Sequence, residues 1–433
     1  MVHYQNLRNK LFESLKAQSP LFKLLFNGQQ LQGSYGDNVK VGHPDEYDLV
    51  FFLKIPKQEE LIITEDPDCP GNVFIDVQNV LNALKNEKGD SLIYEKLRTW
   101  TTSENESEYL NIEKLQFWLK SCFDKALLAM KSSGVLKNFK FVYRRCGPAH
   151  TMFVDEPQKF SVDFVPAIVL GQSAERHGIP KPVEGQKSFR VSYFAEEQKL
   201  MKDKKALKNA LRIMKKFRDS HSNMANLKSY YIKTLFLWKT AEVENSYWDS
   251  RLCDVITDMF KQLKLSLDEG RLEFYWNKNL NLYGFMNEKK IREMRYYIMG
   301  VYEEIFYAHE RMYLQQHKAH RILSIFLTKA ERRQCLPLIG RHIKNRYQRE
   351  VRAVKRFKAS HITTATAAGV SHYEEMFTYR ATAINDNYML KEEITYISDG
   401  GEPFLHNLSE GCLIELYNLF DYDERCFHNS IMY

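Results

Sequence analysis

Glu46 and Asp48 stand two residues apart at the head of Leu49-Val50-Phe51-Phe52-Leu53, a short β-branched and aromatic run between Pro44 and Pro56. A run of that length and composition reads as a buried strand. Side chains two apart on a strand share a face, with backbone positions about 6.6 Å apart. Two converging carboxylates suit a hard divalent cation such as Mg²⁺, whose octahedron phosphate oxygens can complete. Upstream, Gly33-Ser34 offers turn amides and a hydroxyl for phosphate. A third acid, Asp163, interrupts the apolar stretch Val162 to Val165. A carboxylate inside such a strand is costly unless paired or metal-bound, which makes Asp163 the natural third ligand. The chemistry implied is metal-assisted nucleotidyl transfer. Taken one at a time, these residues have plainer accounts: solvated acids at a strand end, or an Asp at a bulge.

The elements that must position these residues can be read from periodicity. Leu7, Leu11, Phe12 and Leu15, then Phe22 and Leu25, recur at helical spacing, and Ser19-Pro20 marks a break between two helices. A strand is expected over Val73 to Val77, and a helix over 109–131 with Ile112, Leu115, Leu119, Phe123 and Leu127 on its apolar side. Strands follow at Phe139 to Arg145 and Phe160 to Leu170, then a Gly/Pro-rich connection over 171–188. Beyond it the chain turns helical, through Ala195 to Phe217, Leu227 to Ala241, 249–265 and 287–315, with Phe274 to Leu282 between the last two.

Composition sets the outer bounds. The chain has 433 residues, 44% hydrophobic and 27% charged, the balance of an ordinary globular protein with two or three domains. There is neither an apolar run of membrane-spanning length nor a secretory N-terminal pattern, so no membrane partner and a cytoplasmic location are expected. Seven cysteines without a C-x-x-C pair suggest buried thiols in a reducing compartment. The net charge of +7 is uneven: 318–358 carries thirteen Lys/Arg and two acids, whereas 359–433 carries three Lys/Arg and twelve acids. That asymmetry suggests a polyanionic partner and an internal competitor for it. Disorder is expected beyond about Ser360, and a chain cut after Leu314 is expected to bind RNA more weakly but to keep its catalytic core folded.

Several stretches occur together and in order: G-S-Y-G at Gly33–Gly36, E-Y-D at Glu46–Asp48, S-V-D-F at Ser161–Phe164, and K-S-F-R-V-S at Lys187–Ser192. A-L-R-I-M-K-K at Ala210–Lys216, S-Y-Y-I-K-T at Ser229–Thr234 and N-L-N-L at Asn279–Leu282 complete the set. In these the chain resembles the cyclic GMP–AMP synthase-like receptors, from the first helix to about residue 310. The resemblance implies an α/β (α+β) fold: a bilobed polymerase-β-like nucleotidyltransferase core with a long N-terminal helix and a helical C-lobe. The expected boundaries are 1–185 for the catalytic lobe, 186–316 for the helical lobe and 317–433 for a basic, then acidic extension.

Carried over by position, Glu46, Asp48 and Asp163 would be catalytic and hold two Mg²⁺ ions, or Mn²⁺ in their place. Ser34, Lys215, Ser229 and Tyr230 would join Glu46 and Asp48 in binding ATP, with Tyr230 stacked on the base. Asp163, Arg190, Ser192 and Glu197 would bind GTP. By itself, each of Lys215 and Tyr230 has a structural account, a solvated helix face for one and core for the other.

Two departures from the family's vertebrate enzyme matter. Its His/Cys zinc-binding insertion, a device for DNA, has no counterpart here, since residues 178–220 contain neither His nor Cys. Phe194 replaces a small polar residue, which leaves the phosphodiester linkage open. Lys202, Lys204, Lys205, Lys208, Arg212 and Lys216 remain as a basic helix able to follow phosphates, with Lys204, Lys205 and Lys208 as RNA contacts. The expectation is an innate immune enzyme that joins ATP and GTP when double-stranded RNA, rather than double-stranded DNA, docks on it, with room for oligomers on the RNA. A 2′-5′ oligonucleotide synthase and a silent nucleic-acid-binding scaffold are the alternatives, the latter opposed by the intact acidic triad.

Overall fold

The computed structural model describes residues 2–41, 45–85, 91–171, 175–181, 187–310, 322 and 324–333. The chain forms two compact units, one of residues 1–40, 44–202 and 273–281, the other of 41–43, 203–272 and 282–433.

The first unit opens with α1 (Val2–Gln18) and α2 (Pro20–Leu25), separated where the sequence predicts a break: the Ser19 hydroxyl accepts the Phe22 N–H at 3.1 Å and Pro20 takes the first turn. There follow β1 (Phe26–Gln32), the single turn α3 (Gly33–Gly36), β2 (Glu46–Leu53), β3 (Ile62–Glu65), β4 (Asn72–Asp76), α4 (Gln78–Lys85) and α5 (Ser91–Thr99). Next come β5 (Thr101–Glu104), β6 (Ser107–Leu110), α6 (Ile112–Ser132), β7 (Lys140–Cys146), β8 (Ala149–Glu156), β9 (Phe160–Leu170), β10 (Arg176–Ile179), β11 (Ser188–Ser192) and α7 (Phe194–Met201).

One mixed sheet runs β1-β2-β9-β10-β11-β4-β6-β5, with β3 on β4 and the β7–β8 pair branching from β9. β9 is long enough to serve two neighbours along one edge: β8 pairs with Phe160 to Phe164, and β10 with Ile168 to Leu170. Its other edge pairs with β2 in parallel. The apolar side predicted for α6 is buried throughout, and so are Leu7, Leu11, Phe12 and Leu15 of α1. Phe12 meets Phe51 and Phe164 edge-on at 5.7 and 5.9 Å, which joins the N-terminal helix to the two strands that carry the acids.

Several elements escape sequence reading, among them β1, β3, α4, α5, β5 and β11. β8 carries only a weak alternation, and β10 lies inside the Gly/Pro-rich connection. β6 occupies Ser107–Leu110, where the helix was expected to begin at 109. The first unit also runs on to Lys202, past the boundary expected at 185, because β11 pairs with β4 inside the sheet.

The second unit is helical: α8 (Lys205–Asp219), α9 (Ser229–Glu242), α10 (Leu252–Glu269) and α11 (Glu288–Glu310). The hairpin between the last two, β12 (Glu273–Phe274) and β13 (Asn277–Asn281), belongs to the first unit. The single helix expected from Ala195 to Phe217 is two, broken at Lys202–Lys204 with Asp203 in the left-handed region at φ 58°. A short polar side chain tolerates that conformation, and no apolar residue there rewards continuing the helix. Phe217 of α8 meets Phe260 of α10 edge-on at 5.1 Å in this unit's core.

A second correction concerns the extension beyond 316. Residues 322 and 324–333 belong to the second unit, where Thr328 and Glu331 form a reciprocal cap: the Thr328 N–H donates to Glu331 Oε2 at 2.7 Å and the Glu331 N–H to Thr328 Oγ1 at 3.2 Å. Phe326, wholly buried, meets Phe260 at 6.3 Å. The rest of the basic segment, the acidic end and the disorder expected there lie outside the described residues.

Candidate active site

Parallel pairing of β2 with β9 sets Glu46 opposite Ser161 and Asp48 opposite Asp163. Tyr47, between the two acids, points to the other face and stacks on Tyr4 of α1 at 4.1 Å. The alternation therefore turns Tyr47 into the core and both acids outward together. Glu46 is exposed, Asp48 and Asp163 half-buried, and one carboxylate oxygen from each lies within 4.8 Å of the others. Among the described residues this is the one group of three or more His, Cys, Asp or Glu side chains close enough to share an ion. Three hard oxygen donors open to solvent fit Mg²⁺ or Mn²⁺, with room for water or phosphate to complete the shell.

The Gly33–Gly36 turn is shaped around these acids. Gly33 has φ +61°, and a Cβ there would stand 2.0 Å from Asp48 Oδ2. Only a glycine lets the turn lie against that carboxylate. At Gly36 a Cβ would come 2.3 Å from the Leu31 carbonyl and 3.1 Å from the Phe194 ring. Phe194, the departure noted in the sequence, is thus buried against the turn that bears Ser34. Ser34 is half-buried, and its carbonyl accepts the Val39 N–H at 2.8 Å. We expect Gly33→Ala to lower nucleotidyl transfer by about 100-fold, because displacing a reacting group by about 1 Å costs that much. Steady-state rates at saturating nucleotide and Mg²⁺ check this; a rate within threefold of the parent would contradict it.

Arg190 and Ser192 share a face of β11, and Glu197 follows in the first turn of α7. Arg190 Nη1 donates to the Pro70 carbonyl at 3.3 Å and passes over Gly71, where a Cβ would meet it at 2.8 Å. Glu197 is buried, and Trp276 Nε1 of the β12–β13 hairpin donates to its carboxylate at 3.2 Å. The same indole stacks on Tyr193 at 4.4 Å. Sequence reading missed Gly71 and Trp276. The Pro70-Gly71 pair marks only a turn in the sequence, and Trp276 lies 79 residues from its partner.

In the second unit, Lys215 is buried on α8, while Ser229 and Tyr230 open α9 half-exposed. The Ser229 hydroxyl accepts a hydrogen bond from Arg218 Nη1, a cation that the sequence reading did not single out. Lys205 is exposed, Lys204 and Lys208 half-exposed. Lys216, read as part of that basic face, is instead 6% exposed and paired with Glu331 at 2.6 Å. It leaves the face because Lys216 follows the core residue Ile213 by three positions and so lies beside it on α8. The thiols also differ from expectation: Cys122 and Cys253 are buried, but Cys146 is exposed. Among the described residues no helix is long and apolar enough to cross a membrane.

The sheet with its acidic pair and partner strand, followed by a helical unit, defines a polymerase-β-like nucleotidyltransferase lobe with a helical C-lobe. Comparison with known proteins agrees: residues 35–203 match the Mab-21 protein nucleotidyltransferase domain and residues 206–300 the Mab-21 protein HhH/H2TH-like domain. The chain is 43% identical over 340 residues to a cyclic GMP-AMP synthase-like receptor of Lucilia cuprina, covering 75% of this chain and 91% of that one. It is 36% identical over 324 residues to cyclic GMP-AMP synthase-like receptor 2 of Drosophila melanogaster, covering 67% and 69%. Receptor 1 of Drosophila simulans is 34% identical over 316 residues, covering 67% and 79%. The chain belongs to the cyclic GMP–AMP synthase-like receptors.

Proposed function

We propose that this chain is a nucleic-acid-activated synthase that joins ATP and GTP into a cyclic GMP–AMP-type messenger in cytoplasmic antiviral defence, with double-stranded RNA as activator. The observation that carries the reading is the cluster of Glu46, Asp48 and Asp163, held within 4.8 Å on adjacent parallel strands. The names of the relatives support the product class. In this reading the three acids hold two Mg²⁺ or Mn²⁺ ions. Such ions, when bound, neutralise triphosphate charge and orient the attacking and leaving oxygens.

The chain's own residues bind and orient. Ser34, Lys215 and Ser229 hold the ATP phosphates, Arg218 adding charge beside Ser229, and Tyr230 offers a face to the base. Asp163, Arg190, Ser192 and Glu197 hold GTP, with Arg190 steadied by Pro70 and Glu197 by Trp276. Purified chain incubated with labelled NTPs and Mg²⁺ or Mn²⁺, with and without long duplex RNA or DNA, tests the reading. The expected result is a phosphatase-resistant dimer that needs ATP, GTP and duplex RNA. A ladder of oligomers would mean a 2′-5′ synthase. No product despite RNA binding would mean a scaffold.

Lys204, Lys205 and Lys208 are the RNA contacts in this reading, and Lys216 is not. Reversing charge at all three is expected to abolish RNA-stimulated synthesis and to flatten the salt dependence of RNA binding by about three in log–log slope. Thermal melting of the variant should match that of the parent. Duplex DNA stimulating more strongly than duplex RNA, at equal length and salt, would overturn the choice of activator.

A further inference from the structure

We propose that Thr151 is the positioning residue of the third metal carboxylate, holding Asp163 in the orientation a divalent cation requires. The inference rests on the reading of the acidic cluster as a metal site. Thr151 lies on β8 directly opposite Asp163, and Asp163 lies directly opposite Asp48 on β2, so the three form one row across three strands. Thr151 Oγ1 donates to Asp163 Oδ1 at 2.6 Å. An ionised carboxylate can only accept, so the hydroxyl proton is committed to that oxygen.

The bond has two consequences. It opposes rotation of the Asp163 carboxylate about its last torsion, which is otherwise broad for an sp² group. It also leaves the other oxygen, together with the second lone pair of Oδ1, for the cation. Thr151 is 2% exposed, so water does not compete for its hydroxyl.

The strand that carries Thr151 is itself tied down from behind. His150, on the opposite face of β8, is fully buried, stacks on Phe123 of α6 at 4.3 Å and meets the Tyr143 hydroxyl through Nδ1 at 2.7 Å. β8 therefore cannot shift toward or away from β9 without disturbing the core, and the threonine is delivered at fixed height. A side chain at this position chosen only for its strand preference would serve equally well as valine, which has the same shape without the hydroxyl. That difference separates the two accounts.

The test is a Mn²⁺ titration of the full chain, with free Mn²⁺ read by electron paramagnetic resonance, for the parent, Thr151→Val, Thr151→Ala and Thr151→Ser. Loss of an outer-shell partner of a metal ligand typically weakens binding about 10- to 100-fold. Thr151→Val and Thr151→Ala are each expected to weaken Mn²⁺ by about tenfold or more, and Thr151→Ser to stay within about threefold of the parent. In an Asp163→Asn background, Thr151→Val should have no further effect, since the hydroxyl acts through that carboxylate. The inference is overturned if either variant lacking the hydroxyl folds and binds Mn²⁺ as tightly as the parent, or if serine does not rescue. Carrying both valine and alanine keeps the test decisive should one of them not fold. A parent chain that binds no Mn²⁺ would overturn the metal-site reading itself, a different outcome from tight binding that ignores Thr151.

Discussion

Glu331→Gln is expected to destabilise the second unit by about 3–5 kcal/mol, the cost of stranding a buried charge. The charge left behind is that of Lys216, whose side chain is 8% exposed and whose Nζ lies 2.6 Å from Glu331 Oε1. Burial alone would raise the Glu331 carboxyl. The hydrogen bond from Lys216, those shared with Thr328 and the Lys216 charge outweigh burial and hold it below the ordinary glutamate range. The sign follows from linkage: a depressed carboxyl adds stability that is full above its unfolded value and is lost as pH falls through its folded one. Urea unfolding of the parent should therefore weaken on acidification below about pH 4, and Glu331→Gln should remove that part of the slope. Replacing both partners, Lys216→Met with Glu331→Leu, should recover most of the loss. A chain cut after Leu314 should behave as badly as Glu331→Gln or worse, since it also removes the buried Phe326. Such a cut therefore takes away part of the second unit's core and not only an appendage. Equal urea midpoints for parent and Glu331→Gln would sink the prediction.

Asp48→Asn and Asp163→Asn should each lower nucleotidyl transfer by at least about a thousandfold, corresponding to about 4 kcal/mol of transition-state stabilisation. Each amide keeps the shape of the side chain and removes the charge, so melting should hardly change. RNA binding should persist, because the lysines assigned to it are on α8. Initial rates of pyrophosphate release, beside a filter-binding isotherm for duplex RNA, measure both. Turnover within tenfold of the parent in either variant would remove that residue from the catalytic set. Glu46→Gln is expected to be milder, since Glu46 is the exposed member of the three.

What local pattern determined here is considerable. Alternation along Glu46–Leu53 placed two acids on one face and Tyr47 in the core, because strand geometry has a period of two whatever surrounds it. Helical spacing picked out the buried faces of α1 and α6, and Ser19-Pro20 marked a break that capping chemistry enforces locally. The ordered motifs identified the family, since each is a short stretch whose residue types survive without knowledge of contacts.

Tertiary structure alone decided the partners. Asp163 finds Thr151 on the neighbouring β8, Glu197 finds Trp276 79 residues away, and Lys216 finds Glu331 115 residues away. None of these pairings has a local signature, because a hydrogen bond between distant side chains depends on strand register and helix packing. Lys216 shows the consequence most plainly. Residue type put it with the other lysines of its helix, but the 3.6-residue turn of α8 carries it inward, where an acid from beyond the residues that match the HhH/H2TH-like domain neutralises it.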